Sequence, residues 1–200
     1  MQKNIGVYSG TFDPIHSGHI AFAQSAKSKS HLDAVIFLPE PQPRSKPTVT
    51  DLSHRIELLK RALANLPDLS VMSLPSEQFS VQQTLPELNA AFPDTTFTFL
   101  FGSDVIKTFR SGWPDLDILL RSAKLAIGMR AGDNEKEIKA IIKDLEHTYG
   151  ITISYTLIHT PNTDVASSHI RKAFKDTASI HPDVTHYIKE NGLYDSAPRD

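Results

Sequence analysis

Two histidines three residues apart, His16 and His19 in D-P-I-H-S-G-H, are the side chains here best suited to chemistry near neutral pH. On a helix that spacing puts both rings on one face, where they can reach one ligand together. They follow Gly10 and Thr11, which close an apolar run from Ile5 to Ser9, and Gly18 between them admits a ligand close to the backbone. Strand, glycine turn and helix N-terminus together make a place for phosphate. Unpaired N–H groups point outward at such a terminus, and the helix dipole adds partial positive charge. Taken alone, the pair could also hold a metal or sit idle on the surface. A metal pair needs a third ligand, and H-S-G-H lacks the glutamate of H-E-x-x-H, so no protein-bound metal is expected.

Three other loops carry groups of matching chemistry. Pro39 to Thr50 holds four prolines in P-E-P-Q-P-R-S-K-P, which makes it an extended loop, and it presents Arg44 and Lys46. Gly102-Ser103-Asp104 ends the strongest strand signal of the chain, Thr95 to Phe101. Arg130-Ala131-Gly132 ends another, Leu125 to Met129. All four chemical loops follow strands, and ligands of open parallel sheets bind beyond the carboxyl ends of the strands, at the point where the strand order reverses.

The elements that must position these loops alternate in type. Strands are expected at Ile5 to Ser9, Ala34 to Pro39, Leu69 to Leu74, Thr95 to Phe101, Leu125 to Met129 and Ile151 to Ile158. Asp13-Pro14 reads as a helix start, with Asp13 as cap and Pro14 in the first turn. Further helices are expected at Asp51 to Asn65 (stripe Leu52, Ile56, Leu59, Leu63), Val81 to Ala91 and Pro114 to Leu120. Others follow at Glu135 to Tyr149 (capped by Asp133 or Asn134), Ser167 to Phe174 and Pro182 to Glu190. Strand and helix in alternation, with long crossovers, specify an α/β fold: a Rossmann-like, doubly wound, mostly parallel sheet with helices on both faces. At 200 residues one domain spanning the chain is expected.

Composition narrows the function. With 21 basic and 23 acidic residues the formal charge is −2, which argues against nucleic acid as the main partner. There is no cysteine, so thiolate catalysis and cysteine-bound zinc are excluded. No stretch has the apolar length of a signal or a membrane span, so no membrane partner and a cytoplasmic location are expected. A dinucleotide-dependent oxidoreductase is disfavoured because G-x-G-x-x-G is missing after the first strand.

G-T-F-D-P-I-H-S-G-H resembles the signature of the HxGH nucleotidyltransferases, and S-S-H-I-R, Ser167 to Arg171, resembles their second signature. F-L-F-G-S-D-V-I before Trp113, I-G-M-R-A-G, and the ending H-Y-I-K-E-N-G-L-Y make the chain most similar to the nicotinate/nicotinamide mononucleotide adenylyltransferases. The resemblance implies transfer of AMP from ATP, with magnesium, to the 5′-phosphate of a pyridine mononucleotide. It implies His16, His19, Lys46 and Arg171 as catalytic residues. Gly10, Thr11, Phe12, Gly18, Gly102, Asp104, Arg130, Ser167 and Ser168 would hold ATP and its phosphates, and Arg44, Thr84 and Trp113 the acceptor. Helices over about 164–195 would complete the phosphate site. The family's P-P-H-K-like loop is P-R-S-K-P here, and Val81 and Gln83 stand where a tyrosine and an aspartate are usual, so nicotinate and nicotinamide both stay open as acceptors. Alternatives are a pantetheine-phosphate adenylyltransferase and a catalytically silent nucleotide-binding relative. Nothing in the sequence sets the oligomeric state.

Overall fold

Apolar runs too short for helices become six parallel strands: β1 (Lys3–Gly10), β2 (Ala34–Pro39), β3 (Leu69–Val71), β4 (Thr95–Gly102), β5 (Lys124–Met129) and β6 (Tyr155–His159). The computed structural model describes residues 2–43, 48–73, 79–160, 167–172 and 179–194. Within them the sheet order is β3-β2-β1-β4-β5-β6, every neighbouring pair parallel. The helices are α1 (Ser17–Lys29), α2 (Leu52–Leu63), α3 (Val81–Ala91), α4 (Ser103–Thr108), α5 (Leu116–Ser122), α6 (Glu135–Tyr149), α7 (Ser167–Lys172) and α8 (Pro182–Glu190).

Period-two alternation sends side chains to both faces of the sheet. Ile5, Val7, Phe97, Phe99, Phe101, Leu125 and Ile127 pack on one side with residues of α3, α4, α5 and α6. Val35, Phe37, Leu100, Ala126 and Ile158 pack on the other with α1, α2, α7 and α8. Each buried Val, Leu, Ile or Phe among them contributes roughly 1.5–3 kcal/mol from the area removed from water. The doubly wound α/β expectation therefore holds.

Several boundaries differ from the sequence reading, each for a local reason. Helix α1 begins at Ser17, not at Asp13, because the Asp13 carboxylate is occupied elsewhere: Oδ1 accepts from Tyr194 Oη–H at 2.6 Å and Oδ2 from the Thr50 amide at 3.2 Å. His16 takes the N-cap position instead, in extended conformation. In α2 the buried face is Arg55, Leu58, Leu59, Ala62 and Leu63, while Leu52 and Ile56 are half-buried, because Arg55 occupies the place where an apolar stripe would begin. Strand β3 stops at Val71, its expected end Leu74 lying outside the described residues, and β6 starts at Tyr155, since the register with β5 begins only at Leu125–Tyr155. Helix α5 starts two residues after Pro114, behind Asp115 in a left-handed conformation. Asn134, not Asp133, caps α6, accepting from the Lys136 amide at 3.0 Å. Phe174, the expected end of the helix from Ser167, lies outside the described residues.

Candidate active site

The sheet opens at its centre. The ladder between β1 and β4 ends at Val7–Phe99, whereas β1 stays paired with β2 as far as Gly10–Pro39 and β4 runs on to Gly102. Past Val7 the two middle strands therefore part, at the point where the strand order reverses. A cavity of about 410 Å³ lies there, with Ser9, Gly10, Thr11 and Phe12 on one lip, Phe101, Gly102 and Asp104 on the other, and His19, Trp113 and Arg130 around them. Three of the four chemical loops converge on it. The fourth borders it through Glu40 and Pro43; Arg44 and Lys46 lie outside the described residues.

At the floor, the turn from Gly10 to His16 is built tightly. Phe12 takes a left-handed backbone (φ 51°), and a Cβ at Gly10 would come within 3.0 Å of its ring. The rings of His16 and His19 stack with centroids 3.7 Å apart, as their spacing suggested. The His16 amide donates to His19 Nδ1 at 3.2 Å, which places the proton of the neutral His19 ring on Nε2. His16 is buried, and among the described residues its Nδ1 has no hydrogen-bond partner. Burial, seconded by the charge of Arg130, lowers its pKa from 6.5 to about 4. By itself the protein therefore holds this ring neutral at pH 7.

The second signature meets the first. Ser167 Oγ–H donates to the carbonyl of Pro14 at 3.0 Å, and Arg171 Nη1–H to that of Asp13 at 2.5 Å. Both residues expected to face phosphate are thus fastened to the backbone of the turn from Gly10 to His16. Ser168, on the same helix, is exposed. Tyr194, which the sequence reading gave no role, adds its bond to Asp13 from near the far end of the chain. Burial, followed by the Asp13 charge, pushes the Tyr194 phenol well above its ordinary range.

On the other lip, Arg130 pairs with Asp104 at 3.1 Å, both more than half exposed. A Cβ at Gly102 would run into the Asp104 carboxylate, so the glycine is what lets the acid sit there. Asp133 supports this pair from behind. It accepts from the Arg130 amide at 2.6 Å, from Lys107 at 3.3 Å and from Ser103 Oγ–H. Burial opposes its ionisation, yet the Ser103, Arg130 and Lys107 bonds hold its carboxyl below the usual range. Asp133 was read only as a possible helix cap, and no local pattern marks its contact with Ser103 thirty positions away.

Trp113 forms an aromatic wall with Phe79, Phe101 and Phe109 (centroids 5.9, 5.8 and 5.1 Å) and lines the cavity, so it belongs to both core and site. Thr84 does not line it. Its buried hydroxyl accepts from the Ser80 amide at 3.2 Å, one turn earlier, as a helix-start bond. Gly18 is half-buried in the first turn of α1, also off the lining. Glu40, unmarked by the sequence reading, does line it, accepting from Ser9 Oγ–H at 2.9 Å.

Comparison with known proteins agrees with this geometry. The model of the cytidylyltransferase-like family matches residues 7–173. The nicotinate-nucleotide adenylyltransferase of Bacillus subtilis (strain 168) is 30% identical over 97% of this chain and 100% of its own length. A probable nicotinate-nucleotide adenylyltransferase of Citrifermentans bemidjiense is 31% identical over 95% of this chain and 97% of its own. Among solved structures, Plasmodium falciparum nicotinic acid mononucleotide adenylyltransferase complexed with NaAD superposes with a TM-score of 0.79 at 22% identity, covering 98% of each chain. A putative nicotinate-nucleotide adenylyltransferase from Vibrio parahaemolyticus gives 0.65 at 19%, covering 98% of this chain and 97% of its own. At these identities the superpositions establish the shared fold.

Proposed function

We propose that this chain, which belongs to the cytidylyltransferase-like family, is an adenylyltransferase moving AMP from ATP to the 5′-phosphate of nicotinate mononucleotide, with release of pyrophosphate, in NAD synthesis. The observation that carries this reading is the crevice between β1 and β4. One end of it is a polar turn with a helix N-terminus and His19, and the other is the aromatic wall of Trp113. A nucleoside triphosphate and a flat heterocycle could lie in it together. The names carried by the relatives at 30 and 31% identity support the pyridine acceptor.

The chemistry asks little of acid or base. A phosphate monoester loses its second proton near pH ~6, so the acceptor oxygen is anionic at neutral pH without a general base. That oxygen forms a bond to the α-phosphorus of ATP, and the bond from the same phosphorus to the bridging oxygen of pyrophosphate breaks. What the protein supplies is alignment of two anions and stabilisation of the charge that builds on the phosphates. In this reading the amides of the Gly10–Phe12 turn, the Nε2–H of His19 and the N-terminus of α1 face the phosphates. Lys46 and Arg171 bring the positive charge, Arg171 by exchanging its bond to the Asp13 carbonyl for one to phosphate. Arg130, Asp104 and Gly102 border the adenosine, and Trp113 the acceptor ring. Arg44, Ser168, Thr84 and Gly18 stay assigned on the resemblance alone.

Magnesium enters with ATP, neutralising and orienting the triphosphate. Among the described residues no three His, Asp or Glu side chains cluster as a metal site. In this reading the ion arrives with ATP and is held by its phosphates. Among the described residues no helix is long and apolar enough to cross a membrane, and a cytoplasmic setting goes with this activity.

The test is pyrophosphate release from ATP and magnesium with nicotinate mononucleotide, nicotinamide mononucleotide and phosphopantetheine offered separately. Turnover is expected with the first at the highest kcat/KM. Folded protein that turns over none of the three refutes the reading.

A further inference from the structure

Arg55 is fully buried in α2, with no exposed surface, and among the described residues no carboxylate accepts a hydrogen bond from it. Its guanidinium is spent on backbone carbonyls. Nε–H donates to Thr50 O at 2.7 Å, Nη1–H to Thr11 O at 2.9 Å and to Glu40 O at 2.8 Å, and Nη2–H to Pro41 O at 2.9 Å. Burial lowers its pKa, opposed chiefly by the charge of Asp13, with Glu40 and Asp51 behind it. Removing a cation from water without a bonded counter-ion is costly, and an apolar side chain would fill the space at less expense.

The four carbonyls explain what that cost supports. Thr11 belongs to the phosphate turn, Glu40 and Pro41 open the loop after β2, and Thr50 closes that loop just before α2. A single planar fork thus ties three stretches of backbone that meet at the cavity, a geometry for which the ammonium of lysine is no substitute. In a trans peptide the carbonyl and the following N–H point in opposite directions. Holding Thr11 O against Arg55 therefore aims the Phe12 amide away from α2, on a stretch that lines the cavity. The preceding peptide is set in the same sense, because Gly10 O accepts from the Glu40 amide at 2.9 Å. Two successive amides aimed alike are the kind of concavity that binds phosphate oxygens. Phe12 would not hold its left-handed conformation unaided, and its neighbours on either side are the carbonyls held by Arg55 and Arg171.

We infer that Arg55 is a positioning residue of the phosphate site: it fixes the peptide planes that turn the Thr11 and Phe12 amides toward a polyphosphate. The inference rests on the reading of this turn as the ATP phosphate site, and on nothing about the acceptor.

The test compares ATP with adenosine, which shares the base and sugar but has no phosphate, by titration calorimetry on wild type and Arg55→Lys. The variant should weaken ATP binding by at least about tenfold, as expected when a preset anion cradle loses its geometry, and change adenosine affinity by less than about threefold. It should also lower kcat with nicotinate mononucleotide while the protein melts cooperatively. ATP affinity within about threefold of wild type, or equal losses for ATP and adenosine, overturns the proposal, since a purely structural defect would not single out the phosphates. Should Arg55→Lys unfold in buffer, the titrations are made in enough trimethylamine N-oxide to restore its far-ultraviolet signal. Loss of ATP affinity that persists in the refolded variant supports the role, and recovery to wild type refutes it. Wild-type protein that binds ATP yet turns over no acceptor refutes the reaction assigned above while leaving the Arg55 comparison in force.

Discussion

His16 makes a specific demand on how the protein responds to acid. In the native site burial, with the Arg130 charge behind it, takes its pKa from 6.5 to about 4, and in the unfolded chain it returns to its ordinary value. Between those two pH values the unfolded state holds a proton that the native state does not. Stability must therefore fall as pH falls through that window: no effect well above 6.5, and the full loss below about 4. Each tenfold in proton concentration across the window is worth about 1.4 kcal/mol, so the whole gap comes to about 3.5 kcal/mol, of which roughly 2.5 kcal/mol is already lost at pH 4.5. His16→Gln removes the titration. The variant starts from a lower stability at pH 7.5, but its deficit against wild type should shrink, or reverse, by roughly 2.5 kcal/mol on going to pH 4.5. Urea unfolding at the two pH values and constant ionic strength measures this, with equal slopes required so that the comparison is one of stability. Carboxylates that titrate in the same range are common to both proteins and cancel. A deficit constant to within about 0.5 kcal/mol would mean that the ring is solvated in the native protein and that the picture of a neutral, buried His16 is wrong. The same picture requires ATP binding near pH 6 to take up protons, because triphosphate charge opposes the burial that keeps the ring neutral. Calorimetry in buffers of different ionisation enthalpy should show that uptake in wild type and less of it in His16→Gln.

Three other substitutions read other parts of the site. Tyr194→Phe removes the 2.6 Å bond to a buried carboxylate and should lower the urea midpoint by an amount corresponding to about 1–3 kcal/mol at unchanged slope. Trp113→Ala should raise the KM for the acceptor at least about tenfold and that for ATP far less. Because Trp113 is the only tryptophan of the chain, the intrinsic fluorescence of wild type should change when the mononucleotide binds. Gly128→Ala would set a Cβ 2.9–3.2 Å from the ring of Phe22, between β5 and the helix that carries His19. It should cost about 1–3 kcal/mol by thermal melt, and an unchanged melting temperature would show that the ring can step aside.

What the sequence could and could not reveal follows from the range of the interactions involved. The Gly10–His19 stretch was legible because its chemistry is local: an apolar run, a glycine turn and two rings at helical spacing belong to neighbours in sequence, and the structure stacks those rings. The crevice was legible at one remove, since alternating strands and helices already imply a parallel sheet whose order reverses somewhere. The actual reversal, between β1 and β4 past Val7, needed the pairing. The rest depends on partners far away. Asp13-Pro14 has the composition of a helix start, but Tyr194 and the Thr50 amide, 181 and 37 positions distant, divert its carboxylate from capping. Arg55 sits on an amphipathic helix where a basic residue reads as solvent-facing; its burial comes from carbonyls on three other segments, and backbone acceptors leave no mark in side-chain pattern. Ser167 and Arg171 could be matched to a signature, but no spacing could show that they fasten the first signature's backbone. This last contact makes the proposed phosphate site conditional on the C-terminal segment. If Arg171 must release the Asp13 carbonyl to reach phosphate, the turn loses one of its two flanking holds as ATP binds, and Arg55 becomes the anchor that keeps the Phe12 amide aimed. The effect of Arg55→Lys should then be larger on turnover than on ATP affinity, because the geometry is most exposed in the state where Arg171 has changed partners.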